Sequence, residues 1–252
     1  MTLTTPDSTS TQRPLLGQRA LVTGATAGLG AAIARALGRD GADVLVLGRD
    51  ADRGARTVAA VQDAGGQAEF VAADLSDSQR LAALADEIGE IEILVNNAGF
   101  SIWGPTPDLG IDEFDALFAA NVRAPYFLVA AFAPGMAARG HGSIINIGSM
   151  AGTIGLPSGA AYGATKAALG ALTRAWTAEY SPSGVRVNTV AAGPMYTRPE
   201  AHELFATIGD TTALRRAAQP EEIAEVVAFL ASSKASYITG ATLAADGGRT
   251  AI

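Results

Sequence analysis

Short aliphatic and β-branched runs alternate along this chain with Ala-rich stretches long enough to be helices, and that alternation constrains the fold more than any other feature. The runs are Arg19–Thr23, Asp43–Leu47, Gln67–Ala72, Ile93–Asn96, Ser143–Ile147, Val185–Val190 and Ala241–Ala245. Several are continuous apolar segments of the kind buried on both faces of a parallel sheet. Helices are predicted over Gly28–Arg39, Ala51–Ala64, Asp77–Ile88, Ile111–Ala138, Ala161–Tyr180 and Pro220–Ala231, several opened by a cap or first-turn residue such as Asp77 or Pro220. The pattern predicts an α/β fold, a doubly wound seven-stranded parallel sheet in a single domain. Two connections are long, Phe100–Gly110 and Pro194–Gln219. Both follow strands, where open α/β sheets place their ligands.

The 252 residues are 48% hydrophobic and 17% charged, with a mean hydropathy of +0.22, which suits a sheet covered on both faces. Residues 1–15 read as a flexible N-terminal extension: Met1 to Pro14 is rich in Thr and Ser and has no apolar run to serve as a signal-peptide core. Residues 16–252 form the remaining, folded domain. Gly, Pro or charge breaks every apolar run before the eighteen or so residues of a membrane span. A net charge of -7 gives no general attraction to nucleic acid or an anionic membrane, so neither is expected as a partner. The chain has no cysteine, which removes disulfides, thiolate metal sites and catalytic thiols; a reducing cytoplasm is the default location. No metal site is expected, because His141 and His202 are the only histidines and neither has a second metal-binding histidine nearby.

The first strand runs into Gly24-Ala25-Thr26-Ala27-Gly28-Leu29-Gly30 and then directly into a helix. Glycines there permit a tight turn and let backbone N–H groups approach a diphosphate, while the helix N-terminus favours the anion. A tight connection with no ligand is the alternative. Asp74-Leu75 after the third strand and Asn96-Asn97-Ala98-Gly99 after the fourth offer further polar groups at strand ends; a helix cap at Asp74 and a plain turn at Asn-Ala-Gly are their alternatives.

Tyr162 and Lys166 stand four apart near the start of a predicted helix, so their side chains share one face within about 6 Å. Bringing a phenol from about 10 to about 7 requires roughly 4 kcal/mol of preferential stabilisation of the phenolate. Lys166 and an oxidised nicotinamide ring would each supply positive charge. Ser149 ends the fifth strand, where its hydroxyl can meet a substrate carbonyl oxygen. Asn121 falls inside the long helix, a poor position for Asn, which predicts either a local distortion that frees a backbone carbonyl for a water relay or an ordinary surface side chain.

Taken together, Thr23-Gly24-Ala25-Thr26-Ala27-Gly28-Leu29-Gly30, Asn96-Asn97-Ala98-Gly99, Asn121, Ser149, Tyr162-Gly163-Ala164-Thr165-Lys166, Gly193 with Thr197, and Asp246-Gly247-Gly248 closely resemble the short-chain dehydrogenase/reductases, from about Leu16 to Gly248. The resemblance implies a Rossmann-type sheet and an NAD(P)-dependent oxidoreductase that moves a hydride between the cofactor and a ketone, aldehyde or secondary alcohol. It implies Tyr162 as general acid/base, Lys166 lowering its pKa and binding the nicotinamide ribose, Ser149 holding the substrate oxygen and Asn121 supporting a proton relay. Cofactor contacts are implied at Gly24, Thr26, Gly28, Leu29, Gly30, Arg49, Asp74, Leu75, Asn97, Ala98, Gly99, Tyr162, Lys166, Gly193, Met195 and Thr197. One departure is Ala191-Ala192-Gly193-Pro194, where the family usually has Pro-Gly after the sixth strand.

Gly48 stands where NAD-preferring members usually carry Asp, and Arg49 can fork onto a 2′-phosphate, which favours NADP(H) with NAD(H) still open. Ala27 and Asp50 weigh against: many NADP-dependent members place a second basic residue at the former position. The segments Phe100-Ser101-Ile102-Trp103, Met150–Ile154, Leu156, Met195-Tyr196 and Leu204-Phe205 are largely apolar and point to a hydrophobic ketone or alcohol as the small-molecule partner. A non-catalytic dinucleotide-binding sensor and a 3-oxoacyl-thioester reductase are the competing readings. Ala164, Ala167, Ala168, Ala171, Leu172, Ala175 and Trp176, with Phe118, Val122, Tyr126 and Phe127, spread apolar surface over more than one helix face. The resemblance implies a homotetramer built on those helices.

Overall fold

A computed structural model of the chain describes residues 13–197 and 199–252. The strands are β1 (Arg19–Thr23), β2 (Asp43–Gly48), β3 (Gln67–Ala72), β4 (Ile93–Asn96), β5 (Gly142–Ser149), β6 (Val185–Ala192) and β7 (Thr242–Ala245). They form one parallel sheet in the order β3-β2-β1-β4-β5-β6-β7. The chain winds outward from β1 to β3, then crosses back to place β4 on the other side of β1. That reversal opens a crevice at the strand C-termini, the place where sheets of this topology bind ligands.

Strand residues alternate in direction, so the register sorts the core into two layers. Leu21 pairs with Leu45 and Leu94, and Leu94 with Ile144. All four face α3 (Ser78–Ile88) and α5 (Ala124–Arg139). One residue on, Val22, Val46, Val95 and Ile145 face α1 (Gly28–Arg39) and α8 (Pro220–Ala231). Helix α2 (Ala51–Asp63) covers β2 and β3, and α6 (Ala160–Tyr180) covers β5 and β6. The predicted cap forms at Asp77, which accepts from the N–H groups of Gln79 and Arg80, and Pro220 opens the first turn of α8 after the N-cap Gln219.

Three expectations need correction. Leu15, assigned above to the N-terminal extension, is completely buried, and its N–H donates to the Asp40 carbonyl at 2.9 Å; residues 1–12 lie outside the described part. The single helix expected over Ile111–Ala138 is α4 (Ile111–Phe118), a π-helical turn (Ala119–Arg123) and α5. The long connection Pro194–Gln219 contains a short helix, α7 (His202–Gly209), bounded by turn formers that hid it in the sequence.

The continuous helical path Ile111–Arg139 is long and apolar enough, by length and composition, to cross a membrane. Its inward face is core instead: Leu128, Val129, Phe132, Ala133 and Met136 are buried in the layer that holds α3.

Candidate active site

Every predicted site residue lies at or beyond the C-terminal end of a strand or on a helix leading from that edge. The turn between β1 and α1 is shaped for an anion. Gly24 and Gly28 have φ of +62° and +52°, and a Cβ on Gly30 would stand 2.2 Å from the Gly24 carbonyl oxygen. Glycine is therefore required within the turn, by its left-handed backbone at Gly24 and Gly28 and by close packing at Gly30. Helix α1 has Ala27 as its N-cap, with no side-chain hydrogen bond there and no acidic residue in its first turn, so no side chain competes for its leading N–H groups. Thr197 comes over this turn from beyond β6, 3.5 Å from where a Gly28 Cβ would be. A dinucleotide diphosphate fits such a cradle.

The Asn97-Ala98-Gly99 segment turns inward. Thr23 Oγ1 accepts from the N–H groups of Asn97 and Ala98 at 3.0 and 2.9 Å, and Asn97 Nδ2 donates to the carbonyls of Thr23 and Gly24 at 2.8 and 3.2 Å. The Asn97 side chain thus buckles β4 to the glycine turn, leaving Gly99 between Asn121 and Lys166. Asp74 is not a helix cap, since Asp77 fills that place; its Oδ1 accepts from Ser76 N and Oγ at 2.9 and 2.8 Å, and its Oδ2 lies 3.8 Å from Arg49 Nη1. Hydrogen bonds from Ser76, the backbone one first, hold the Asp74 carboxyl below its ordinary value. Leu75 is half-buried against the lower core, Met195 forms a bridge with Ala218, and Gly193 packs on the backbone of Asp246 at the end of β7.

Asn121 is completely buried, so the surface alternative does not hold. Its Oδ1 accepts from Phe100 N at 3.1 Å, and its Nδ2 donates to the Phe100 carbonyl at 2.9 Å and to Thr165 Oγ1 at 3.1 Å. The predicted distortion is the π-helical turn, in which Ala124 N–H reaches back five residues to the Ala119 carbonyl. Pro125 adds to it. Having no N–H, it leaves the Asn121 carbonyl without the donor an α-helix would supply four residues on.

Ser149, Tyr162 and Lys166 converge because α6 docks closely on the segment after β5. A Cβ on Gly163 would meet the Ala151 carbonyl oxygen at 2.6 Å, and one on Gly152 the Lys166 carbonyl carbon at 2.8 Å. Lys166 Nζ donates to the Ile147 carbonyl at 2.8 Å and lies 5.8 Å from the Tyr162 ring centre. Burial lowers Lys166 from its ordinary 10.5 to about 8. Burial likewise pushes the Tyr162 phenol up, and a hydrogen bond with Ser149 opposes that rise. Burial thus favours the neutral form of both groups.

Aromatic rings wall the approach. Trp103 lies 5.6 Å from the Tyr162 ring, tilted by 50°, and Tyr196 stacks on His202 at 4.4 Å. Sequence reasoning set His202 aside, and nothing local marks this stack; it also passed over Thr165, whose buried hydroxyl bonds Asn121. A cavity of about 450 Å³ flanks the Trp103 loop, lined by Ile102, Leu109, Phe114 and Ala161 among others, with no charged side chain among the described residues. Ser149 and Tyr162 do not line it.

The comparisons with known proteins agree with this geometry. The family model described as enoyl-(acyl carrier protein) reductase matches residues 24–250. A solved structure described as a short chain dehydrogenase/reductase family protein is 50% identical, with a TM-score of 0.89, over 95% of this chain and 100% of that one. The chain belongs to the short-chain dehydrogenase/reductase family. Relatives similar to it include the cis-4-hydroxycyclohexanecarboxylate dehydrogenase of Sinomonas cyclohexanicum, 40% identical over 92% of this chain and 96% of the relative. A gluconate 5-dehydrogenase from Burkholderia cenocepacia J2315, solved in complex with NADP and tartrate, is 33% identical with a TM-score of 0.89 over 96% of this chain and 98% of that one. Its family makes this chain an NAD(P)-dependent oxidoreductase acting on CH–OH and C=O groups, and the sensor reading is not favoured.

Proposed function

We propose that the chain reduces apolar, preferably cyclic, ketones or oxidises the matching secondary alcohols, preferring NADP(H), with Tyr162 as general acid/base. The observation that carries this is the convergence of Ser149, Tyr162 and Lys166 beside an aromatic wall, at the end of the crevice that begins in the glycine turn. The dinucleotide, when bound, supplies the hydride donor or acceptor. Ser149 orients the substrate oxygen, Tyr162 gives or takes the proton at that oxygen, and Lys166 adds positive charge beside the phenol. The Asn121 carbonyl, left without a helical donor by Pro125, holds a relay water near Lys166. Gly24, Thr26, Gly28, Leu29 and Gly30 seat the diphosphate; Asp74, Leu75, Asn97, Ala98 and Gly99 border the adenosine side; Gly193, Met195 and Thr197 border the nicotinamide. Arg49 serves a 2′-phosphate.

Support for an apolar substrate comes from Trp103 and Phe100, which are 50% and 44% exposed at the crevice, and from the relative named for a hydroxycyclohexane carboxylate. The relative named for gluconate pulls toward polyhydroxylated substrates. Turnover of a panel of cyclic, aryl, open-chain and hydroxylated carbonyls with both cofactors tests the reading; activity confined to hydroxylated substrates would reject it.

The working assembly is a homotetramer, in the cytoplasm. Ala164, Ala167, Ala171 and Ala175 are exposed along one face of α6, and Tyr126 and Phe127 are exposed on α5, whereas Trp176 is buried within the subunit. Two such helices per subunit pack across a two-fold axis. Light scattering giving a mass near the 25.5 kDa of one chain would refute association.

A further inference from the structure

Trp103 is held where it stands by contacts with the approach to α6. Its loop is pinned to the approach of α6, where Gly104 N–H donates to the Ser158 carbonyl at 2.9 Å. Ser158 adopts φ of +63°, a conformation disfavoured for a residue with a side chain, and this turns its carbonyl and the next residue toward the loop. The indole then lies on Gly159: a Cβ there would stand 2.5 Å from Cζ3 and 3.2 Å from both Cε3 and Cη2. Gly159 is also the N-cap of α6, and its carbonyl accepts from Gly163 N–H at 2.8 Å. Tyr162 sits in that first turn. The indole and the phenol are therefore fixed to the same few residues, with ring centres 5.6 Å apart.

We propose that Trp103, seated on Gly159, is a specificity-determining residue: it presents a flat apolar wall to the substituent carried by the carbonyl carbon, and so selects ring-bearing ketones over open hydroxylated ones. This inference rests on the reaction assigned above. An indole face gains from covering a hydrocarbon ring and offers nothing to hydroxyl groups, which would lose water against it without gaining a partner. The absence of a side chain at Gly159 is what lets the indole lie there. At φ -111° and ψ 17° its backbone is open to alanine, so Gly159→Ala would displace the indole without forcing the chain.

The test uses the NADP(H)-loaded enzyme, with cyclohexanone and dihydroxyacetone as paired probes. Trp103→Ala is expected to lower the cyclohexanone to dihydroxyacetone ratio of kcat/KM by about tenfold, mostly through the KM of cyclohexanone. Gly159→Ala should move the ratio in the same direction, and Trp103→Phe should fall between. A Trp103→Ala enzyme that keeps the wild-type ratio, or loses both activities equally, overturns the proposal. Binding is read separately in a Trp176→Phe background, where Trp103 is the one remaining tryptophan. Saturable quenching by cyclohexanone without turnover would sink the assigned reaction and leave the wall standing; absence of any cyclohexanone-dependent change would sink the wall.

Discussion

Arg49→Ala tests the proposed preference for NADP(H). The Arg49 side chain is 77% exposed and its partner Asp74 is 47% exposed, at 3.8 Å. An ion pair this wet contributes no more than about 1 kcal/mol, so Arg49 leaves Asp74 for a phosphate at little cost. Asp74 does not depend on it, because Ser76 supplies two hydrogen bonds to the other carboxylate oxygen. A charge-assisted hydrogen bond from guanidinium to phosphate contributes roughly 1.5–3 kcal/mol. Subtracting the pair it replaces leaves about 1–2 kcal/mol, or roughly 5- to 30-fold in Kd. Calorimetric titration should therefore show Arg49→Ala weakening NADPH by that factor and NADH by less than about twofold. The difference should shrink on going from about 50 to about 200 mM salt, since the site is open to solvent. Equal weakening of both cofactors, or a wild-type enzyme that binds NADH more tightly, would refute the assignment of Arg49 to the 2′-phosphate.

Tyr162→Phe should lower kcat by about a thousandfold or more while NADPH affinity stays unchanged, because the ring remains and the proton goes; near wild-type turnover would place the acid/base elsewhere. Gly30→Ala should abolish dinucleotide binding, since its methyl group would stand 2.2 Å from the Gly24 carbonyl oxygen, and unaltered affinity by fluorescence titration would reject the cradle. For Lys166 the sign follows from burial: its folded value near 8 lies below its ordinary 10.5, so between those values the unfolded chain binds more protons. Cofactor-free stability should then rise with pH across that window, carrying the full burial penalty below about 8. Urea melts at several pH values should show this slope in the wild type and its loss in Lys166→Met; equal slopes would mean that Lys166 keeps its ordinary pKa.

Most of the fold was legible because its signals are local. Short, often continuous apolar runs mark the strands, and Gly, Pro and Asp punctuate the ends, so α1, β1, β3 and β4 agree with expectation at both boundaries. What escaped depends on contacts between distant segments. The π-helical turn exists because Asn121 is drawn inward by Phe100 and Thr165, and periodicity within the helix carries no trace of either partner. Leu15 looked like part of a polar tail, yet it fills a site made by Leu37 and Ala42 with their neighbours. The site residues were legible as types at known spacings; the contact of Trp103 with Gly159 was not, since one glycine in a loop gives no hint of what lies on it.

Ser149, Tyr162 and Lys166 are brought together by the chain, but their charge state is left unfinished. Burial favours the neutral form of both ionisable groups, raising Tyr162 and bringing Lys166 down to about 8. Lys166 Nζ lies 5.8 Å from the centre of the phenol ring and gives a hydrogen bond to the Ile147 carbonyl. An oxidised dinucleotide, seated as proposed above at the N-terminus of α1 with its N-cap Ala27, would add positive charge beside the phenol and favour its ionised form. In alcohol oxidation Tyr162 would take the alcohol proton while the hydride passes to the oxidised dinucleotide; in ketone reduction the reduced dinucleotide would give the hydride and Tyr162 the proton.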